Sequence, residues 1–290
     1  MDMLLDNIYV INLDRSTDRL TNLQNNFKEY NIKFTRFSAI EGKNVSNDQL
    51  IKTTSFLCRN FLCNYGIVGC ALSHINLWKK LVLDQKTDFY VVMEDDAVIN
   101  DNFKKTINEI DNIKYDIDFD IISLHCIREY NCRQYGKTKI KLSDGTVIGK
   151  TLFPLSTTSY ILSKKGAIKL LSLFDKIYYH IDVEIAIKSK FNDINYYSLN
   201  KNLIDHNWEE ASTVAVTNHK TIMLYTLDKL GLKEIYWVLN SPTFTIRMTY
   251  PINLYMVLLT FLLILNIVWF KNIFIYVFIL IEYILYFSQM

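Results

Sequence analysis

The first half of the chain alternates short apolar runs with longer amphipathic segments. Ile8–Leu13 and Phe89–Met93 have the length and apolar character of buried strands. Gly66–Leu83 carries apolar residues at helical spacing, and so does the segment that follows Thr17. This alternation is typical of an α/β sheet, and hairpin-like segments later in the chain make a mixed sheet the prediction. Further predicted elements are strands at Lys33–Ile40, Phe119–Leu124 and Ser159–Leu162, a hairpin over Ile140–Ile148, and a helix Lys164–Phe174 capped by Ser163.

The end of the chain is apolar on all sides. Ile252–Phe270 is nearly uncharged and about long enough to cross a bilayer. Lys271 and Asn272 interrupt this run, and Ile273–Phe287 is apolar again apart from Glu282. We therefore expect C-terminal apolar membrane-associated helices, either one transmembrane helix with an interfacial helix or a re-entrant hairpin. A helix pair in a soluble core is the alternative.

Composition adds little beyond these patterns. A net charge of +2 gives no case for binding nucleic acid. The five cysteines are odd in number and contain no Cys-x-x-Cys pair, so we expect reduced thiols without a zinc framework or a disulfide scaffold. The first ten residues contain Asp2 and Asp6 and no basic residue, which is unlike a signal peptide.

Glu94, Asp95 and Asp96 follow the buried strand Phe89–Met93 directly. In open α/β sheets, ligands bind beyond the carboxyl ends of the strands. Clustered carboxylates need a counter-charge, and a divalent cation that carries a diphosphate is the simplest one. A polar turn that caps the next helix is the alternative interpretation.

An ordered set of short motifs runs through the chain from Asn7 to Ser212 and resembles glycosyltransferase family 25. This family comprises bacterial lipopolysaccharide and lipooligosaccharide galactosyltransferases and their collagen-modifying relatives. No single motif is decisive, but the ordered set is specific. The motifs are Val10–Arg15 with Asp18-Arg19, Gly69–His74, Glu94–Asp96, Tyr160–Ser163 with Gly166-Ala167, Asp182, and Leu203–His206 with Ser212.

The resemblance implies a GT-A type fold, a nucleotide-sugar donor (usually UDP-galactose), a divalent metal such as manganese, and inversion at the anomeric carbon. It implies residues 1–215 as the catalytic domain. The residue pattern, and not the resemblance, suggests a candidate amphipathic juxtamembrane segment at 216–250, with an ordinary C-terminal helix of the globular domain as the alternative, and a hydrophobic anchor or hairpin at 251–290. The implied acceptor is a lipid-linked oligosaccharide at the cytoplasmic face of the inner membrane. The alternatives are a non-catalytic, membrane-anchored relative that binds a saccharide or nucleotide, and a protein hydroxylysine galactosyltransferase.

Metal ligands are expected among the acids of the cluster. Glu94 and Asp96 are two residues apart and point to the same side of an extended segment. Asp96 is the expected direct ligand, and Glu94 either shares the metal or holds the ribose or the sugar of the donor. Asp95 faces the other way and is expected to bond backbone or donor. His206 is a candidate third ligand, with a structural histidine as the alternative.

Donor contacts are expected from two other segments. Arg15 and Arg19 can grip a diphosphate, or they can neutralise neighbouring acids at the start of a helix. By analogy with the family, Asn12 and Leu13 contact the nucleobase through the backbone. Ser73 and His74 lie in the helix Gly66–Leu83 and are expected to face the nucleotide; the alternative for His74 is a satisfied core histidine.

An inverting transfer needs one general base and no enzyme nucleophile. Asp182 resembles the family's late aspartate and is the first candidate, with Glu184 as the alternate. The structural alternative for Asp182 is a helix cap. Tyr160 and Ser163 are expected to have mainly structural roles.

Overall fold

The computed structural model describes residues 3–126, 134–151, 155–191, 194–206, 221–240, 242–248 and 250–287. The chain divides into two compact units. Unit 1 comprises Met1–Thr53 and Ile67–Glu210, and unit 2 comprises Thr54–Gly66 and Ala211–Met290. The predicted boundary at residue 215 lies outside the described residues.

Unit 1 is built on a mixed sheet, as the alternation of the sequence predicts. Its strands are β1 (Ile8–Asn12), β2 (Thr35–Ser38), β3 (Phe89–Glu94), β4 (Ala97–Ile99), β5 (Ile121–Ser123), β6 (Gln134–Lys141), β7 (Val147–Thr151), β8 (Ser159–Ser163), β9 (Tyr196–Leu199) and β10 (Ile204–His206). The strand order is β2-β1-β3-β8-β5-β9-β7-β6, and β4 pairs separately with β10.

Because of the strand directions, the carboxyl ends of several strands lie at one edge of this sheet. β1 runs parallel to β2 and β3, whereas β8 is antiparallel to both β3 and β5. β5 in turn runs parallel to β9. The carboxyl ends of β1, β3, β5 and β9 therefore lie at the same edge as the amino end of β8. Ligand sites of open sheets form at such an edge.

The helices cover the sheet with apolar faces. Up to residue 191 they are α1 (Thr17–Glu29), α2 (Asn47–Thr53), α3 (Tyr65–Leu83), α4 (Phe103–Ile113), α5 (Lys164–Leu173) and α6 (Ile181–Phe191). α4 buries Phe103, Ile107 and Ile110, which recur at helical spacing. The predicted N-cap of α5 is confirmed, since Ser163 Oγ accepts a hydrogen bond from the Gly166 amide at 3.1 Å.

The core of unit 1 lies between the sheet and these helices. Val91 and Met93 of β3 are fully buried, which explains why this strand is apolar at every position up to Glu94. Leu23 and Phe27 of α1 belong to the same apolar cluster, as do the buried residues of α4. Burial on both faces fixes the end of β3, so the acids that follow it start from a rigid element.

Helix α3 approaches the loop after β2 very closely at Gly69. A Cβ atom there would lie 2.5 Å from the Ile40 carbonyl oxygen and 2.8 Å from the Gly42 nitrogen. Ser73 Oγ lies one turn later, donates to the Gly69 carbonyl at 2.7 Å, and accepts from the Ile40 amide at 2.8 Å. The close approach of α3 to this loop therefore depends on the absence of a side chain at Gly69 and on the Ser73 hydroxyl, which bonds to both segments.

Unit 2 is a smaller assembly of helices and one two-stranded sheet. Its elements include α7 (Ile222–Lys229), α8 (Lys233–Asn240), β11 (Pro242–Ile246), β12 (Tyr250–Asn253), α9 (Leu254–Leu265) and α10 (Ile273–Phe287). Asn253 caps α9 by accepting from the Met256 amide at 3.0 Å. Met256 and Leu259 of α9 pack with Ile279 and Tyr286 of α10 in the apolar cluster of this unit.

The predicted C-terminal membrane-associated helices are wrong. No helix among the described residues combines the length and the apolar character that crossing a bilayer requires. α9 has 12 residues and α10 has 15, or roughly 18 and 22 Å at 1.5 Å per residue, against about 30 Å of hydrocarbon.

The break between α9 and α10 has a local cause. A π-helical turn, Asn266–Phe270, follows α9, and Lys271 then adopts a left-handed conformation with φ of 50°. The Asn266 side chain accepts from the Asn272 amide and donates to the Asn272 carbonyl, both at 3.0 Å. These bonds fix a turn, so the apolar run forms two short helices and not one long one.

The expectation of reduced thiols is wrong for three of the described cysteines, since Cys126 is disulfide-bonded as well as Cys58 and Cys63. Cys58 and Cys63 form a disulfide across the π-helical turn Cys58–Leu62. This turn brings the Cys63 amide to 2.9 Å from the Cys58 carbonyl oxygen. Their separation of five residues matches no simple motif, so sequence spacing alone does not indicate the pair. Cys70 is a free thiol.

We expect Gly69→Ala to destabilise unit 1. The added methyl group would meet backbone atoms of Ile40 and Gly42, which cannot rotate away, so the free energy of unfolding should fall by about 1–3 kcal/mol. Urea unfolding measures this change. Lys79→Ala, at an exposed position of the same helix, is the control and should stay within about 0.5 kcal/mol of the wild type. Equal stability of the two variants would contradict the close approach.

Candidate active site at the edge of the sheet

The acidic cluster lies where β3 ends. Glu94 is the last residue of β3, and Asp95 and Asp96 form the turn into β4. Glu94 meets His74 of α3, whereas Asp95 and Asp96, which lie in the turn, both approach Arg19 of α1. The cluster therefore has two sides with different partners.

Asp95 is bound by β1 and α1. Asn12 Nδ2 donates to Asp95 Oδ2 at 2.8 Å, and Arg19 Nη1 donates to Asp95 Oδ1 at 2.9 Å. Arg36 Nε holds Asn12 in turn, by donating to its Oδ1 at 2.8 Å. Burial raises the pKa of Asp95, and the bonds from Asn12 and Arg19 partly offset this rise. Asp95 therefore joins the ends of β1 and β3 to α1.

The two predicted diphosphate arginines lie in different surroundings. Arg19 Nη1 lies 4.0 Å from Asp96 Oδ2 as well as against Asp95, so this guanidinium is part of the acidic cluster. Arg15 is largely exposed and pairs with Glu41, with 2.6 Å between Nε and Oε2. The Leu13 carbonyl accepts from the Ser16 amide at 2.9 Å in the turn after β1.

Glu94 is held on its other side by a chain of buried polar groups. Thr157 Oγ1 donates to Glu94 Oε1 at 2.6 Å, and His74 Nε2 lies 3.4 Å from the same oxygen. His74 Nδ1 is hydrogen-bonded to the Tyr160 hydroxyl at 2.8 Å, and Trp78 Nε1 donates to that hydroxyl at 2.9 Å. The predicted structural role of Tyr160 thus includes orienting the imidazole beside Glu94.

Cys70 lies in the same place, one helical turn before His74. One ligand atom from each of Cys70, His74 and Glu94 lies within 4.8 Å of the other two. Burial raises the pKa of the Cys70 thiol, and the negative charges of Glu94, Asp182 and Asp96 raise it further. The thiol therefore lies beside Glu94 and within the electrostatic reach of Asp96 and Asp182.

Asp182 joins the acidic cluster from far along the chain. It lies in the first turn of α6, and its Oδ1 accepts from the Val183 amide at 2.8 Å. Burial raises its pKa most, and the charge of Glu94 raises it further, while His180 opposes the rise. Burial lowers the pKa of His180. A buried carboxylate with a raised pKa is a stronger base, as proton abstraction requires.

Glu184, unlike Asp182, bonds to the backbone of the turn that precedes α6. Its Oε1 accepts from the amides of Tyr178 and Tyr179 at 2.7 and 2.9 Å, and Lys188 lies 3.7 Å from its Oε2. Burial raises its pKa, and these amide bonds act against the rise. Glu184 therefore closes the turn that precedes α6 and positions the segment that carries Asp182.

The remaining predicted residues lie on supporting elements. Ser73 bonds to Ile40 and Gly69 and so fixes α3 against the loop after β2. The backbone of His206, in β10, pairs with Ala97, which follows Asp96 directly. Ser212, the last residue of the resemblance, lies outside the described residues.

Sequence patterns did not indicate four contributors to this site. Arg36 on β2, Thr157 before β8, Cys70 on α3 and His180 before α6 contact or perturb the cluster residues. A signal existed for Cys70, since it lies four residues before His74 and such residues share a helix face. The other three are brought in by strand pairing and helix packing.

The charge balance of the site fits a bound cation. Glu94, Asp95, Asp96 and Asp182 lie together, and Arg19 is the cation paired with them in the described contacts. Carboxylate oxygens are the ligands that hard divalent cations prefer. Glu94 and Asp96 are suited to hold such an ion, because Asp95 is already bound by Asn12 and Arg19.

Comparisons with known proteins show the family of this chain. The profile of glycosyltransferase family 25 (LPS biosynthesis protein) matches residues 5–185. A putative glycosyltransferase, R655, of Acanthamoeba polyphaga mimivirus is 34% identical over 104 residues, 36% of this chain. Human procollagen galactosyltransferase 2 is 27% identical over 177 residues, 58% of this chain, and a putative glycosyltransferase of Haemophilus influenzae is 31% identical over 169 residues, 57% of this chain.

These relatives differ from the chain in length. The alignment covers 32% of the mimivirus protein, 28% of the human protein and 56% of the Haemophilus protein. The family match extends from just before β1 to the first turn of α6, and so includes Asn12, Arg19, the acids after β3 and Asp182. The chain belongs to glycosyltransferase family 25.

Proposed function

We propose that this chain is an inverting glycosyltransferase that moves a hexose, with galactose from UDP-galactose as first candidate, onto a lipid-linked oligosaccharide. The observation that carries the proposal is the acidic cluster Glu94, Asp95 and Asp96 at the carboxyl end of β3, with Asp182 of α6 near enough for the charge of Glu94 to raise its pKa. Glu94 and Asp96 belong to β3 and the turn after it, whereas Asp182 belongs to α6. A transferase needs both charge stabilisation of the leaving group and a base, and these groups are suited to the two tasks.

Glu94 and Asp96 are proposed to hold a divalent metal, with manganese as first candidate. When bound, such an ion supplies positive charge to the departing diphosphate. The chain prepares this position by holding Glu94 Oε1 with Thr157. Asn12 and Arg19 occupy Asp95 instead. His206 stays a candidate third ligand because its backbone lies beside the turn.

Asp182 is proposed as the general base. In an in-line displacement the acceptor hydroxyl loses its proton while the bond to the leaving diphosphate breaks. Burial and the charge of Glu94 favour the protonated form of Asp182, so a proton that reaches it from the acceptor is well bound. Glu184 is the less suitable base, because the amides of Tyr178 and Tyr179 already occupy one of its oxygens.

A protein acceptor is the second candidate. The name of the human relative, procollagen galactosyltransferase 2, supports testing a hydroxylysine. The family description, an LPS biosynthesis protein, supports testing a lipid-linked oligosaccharide. The cytoplasmic location expected from the resemblance stays a prediction.

A donor screen tests the proposal. Purified protein is incubated with a panel of UDP-sugars, with and without Mn²⁺, and hydrolysis and transfer are measured by UDP release. Transfer is measured to a lipooligosaccharide acceptor and to a hydroxylysine-containing collagen peptide. We expect metal-dependent turnover of one donor. UDP binding without turnover of any donor would instead favour a non-catalytic binding protein.

We expect Asp96→Asn and Asp182→Asn to abolish most of the turnover by different routes. Loss of Asp96 should weaken metal-dependent UDP binding, whereas loss of Asp182 should leave UDP binding intact and lower kcat by roughly 10²–10⁴-fold. Asp118→Asn is the matched control. Asp118 is an exposed acid that pairs with Lys165 before the amino end of β5, so this variant should keep wild-type rates. Wild-type rates for Asp182→Asn would remove Asp182 from the mechanism.

The pH dependence should report the base. Burial raises the pKa of Asp182, so kcat/KM should fall with acid at a pH above the ordinary aspartate value of about 3.9. Below that pKa the Asp182 carboxyl is already protonated and cannot take the proton from the acceptor hydroxyl. The profile is measured at low donor concentration, and samples returned from acid to neutral pH must recover their activity. An acid limb at or below the ordinary value would contradict Asp182 as the base.

A further inference from the structure

We propose that Cys70, His74 and Glu94 form a second metal site, selective for a thiophilic divalent cation such as Zn²⁺, and that the bound cation inhibits transfer. The binding of the cation stands on the geometry alone. The inhibition rests on the proposed function, because it depends on the role given to Glu94. Among the residues that the structure describes, this is the cluster that combines a thiol, an imidazole and a carboxylate.

The distances between the three ligand atoms are already close to those of a zinc site. Cys70 and His74 are four residues apart on α3 and therefore share a helix face, while Glu94 ends β3. Tetrahedral zinc, with bonds of about 2.0–2.3 Å, holds its ligand atoms roughly 3.3–3.6 Å apart. His74 Nε2 and Glu94 Oε1 lie 3.4 Å apart, and all three ligand atoms lie within 4.8 Å of one another. Small side-chain shifts would complete the site.

His74 Nε2 is a buried polar atom aimed at this cluster. The side chain is fully buried, and Nε2 makes no hydrogen bond, since its approach to Glu94 at 3.4 Å lacks the required geometry. A buried polar atom without a partner costs about 1–3 kcal/mol. Coordination would satisfy Nε2, which lies 3.4 Å from Glu94 Oε1 without a hydrogen bond.

The other imidazole nitrogen is prepared for a metal-binding tautomer. A ligand at Nε2 requires the ring proton on Nδ1, which lies 2.8 Å from the Tyr160 hydroxyl. A hydroxyl oxygen accepts as well as donates, so Tyr160 can receive this proton in a hydrogen bond. Trp78 Nε1 fixes the hydroxyl at 2.9 Å. Outer partners of this kind orient histidine ligands in metal sites.

The ligand types decide which cation binds. Thiolate sulfur selects zinc-class cations, whereas manganese and magnesium prefer oxygen. The negative charges of Glu94, Asp96 and Asp182 reach Cys70 and favour a cation there, which would displace the thiol proton to solvent. The site therefore differs in chemistry from the oxygen-rich pair of Glu94 and Asp96, although the two share Glu94.

Sharing Glu94 makes the two sites exclusive. A cation bound by Cys70 and His74 would hold Glu94 where it already lies beside His74, and so keep it from a cation shared with Asp96. It also places a positive charge close to Asp182, which lowers the basicity of the proposed base. Zinc should therefore oppose the metal that supports transfer instead of replacing it.

Cobalt is the probe for the site, because Co²⁺ replaces zinc and its bond to thiolate absorbs in the near ultraviolet. We expect titration of the full chain with Co²⁺ to give sulfur-to-cobalt charge-transfer absorption at one equivalent, and Zn²⁺ to abolish it. The absence of this absorption in the folded wild-type protein would overturn the proposal, whatever the variants do.

Variants assign the ligands. Cys70→Ser should remove the charge-transfer absorption, and His74→Gln should weaken cobalt binding by more than the roughly 10- to 100-fold that loss of an outer partner costs. Tyr160→Phe should weaken it by roughly 10- to 100-fold. The double change Cys58→Ser and Cys63→Ser is the matched cysteine control and should keep the absorption. Retention of the absorption in Cys70→Ser would overturn the assignment, and metal-free circular dichroism checks that each variant is folded.

Activity separates the two parts of the proposal. If the donor screen gives turnover, Zn²⁺ should inhibit the Mn²⁺-supported reaction of the wild type. In Cys70→Ser the rate with Zn²⁺ should approach the rate of the same variant without Zn²⁺. Cobalt binding without any turnover would overturn the proposed function and leave the metal site standing. Equal inhibition of the wild type and Cys70→Ser would overturn the inhibitory role.

Discussion

The ion pair between Arg19 and Asp95 is the interaction on which the rest of the site depends. Both side chains are mostly buried, with 14% and 10% of their surfaces exposed, and Asn12 completes the bonding of the carboxylate. Removing one partner from such a pair typically costs about 3–5 kcal/mol, because the other charge stays buried. The pair joins α1, β1 and the end of β3, and so fixes the turn that carries Asp96.

With Asp95 bound in this way, its neighbours serve other purposes. Glu94 faces α3, where Thr157 and His74 approach one of its oxygens. Asp182 approaches from α6, and mutual repulsion with Glu94 contributes to its raised pKa. Carboxylates crowded in this manner destabilise one another unless a proton or a cation intervenes. Arg19 offsets part of this negative charge, and the divalent cation proposed above would offset more of it.

In the second unit, a local turn divides an apolar run that is long enough for one membrane-spanning helix into two short helices. Hydropathy alone makes Ile252–Phe270 long enough for a bilayer, but the side chain of Asn266 bonds to the backbone of Asn272 and the run is divided. The two short helices then bury Met256, Leu259 and Ile279 against each other. A similar local effect joins Cys58 to Cys63, whose π-helical turn closes a spacing that no common motif predicts.

The sequence by itself determined part of the strands and helices of unit 1, among them β1, β3, α1, α3 and α5, together with the N-cap at Ser163 and the position of three acids at the end of a buried strand. It did not indicate β4, β9, β10, α2 or α4. The features that it did indicate are local properties, set by periodicity, turn chemistry and chain order. Only the tertiary structure decided which acid binds Arg19, which faces His74, and that Asp182 and not Glu184 joins the cluster. These outcomes depend on strand order and helix packing between segments up to about ninety residues apart, and no local pattern carries that information.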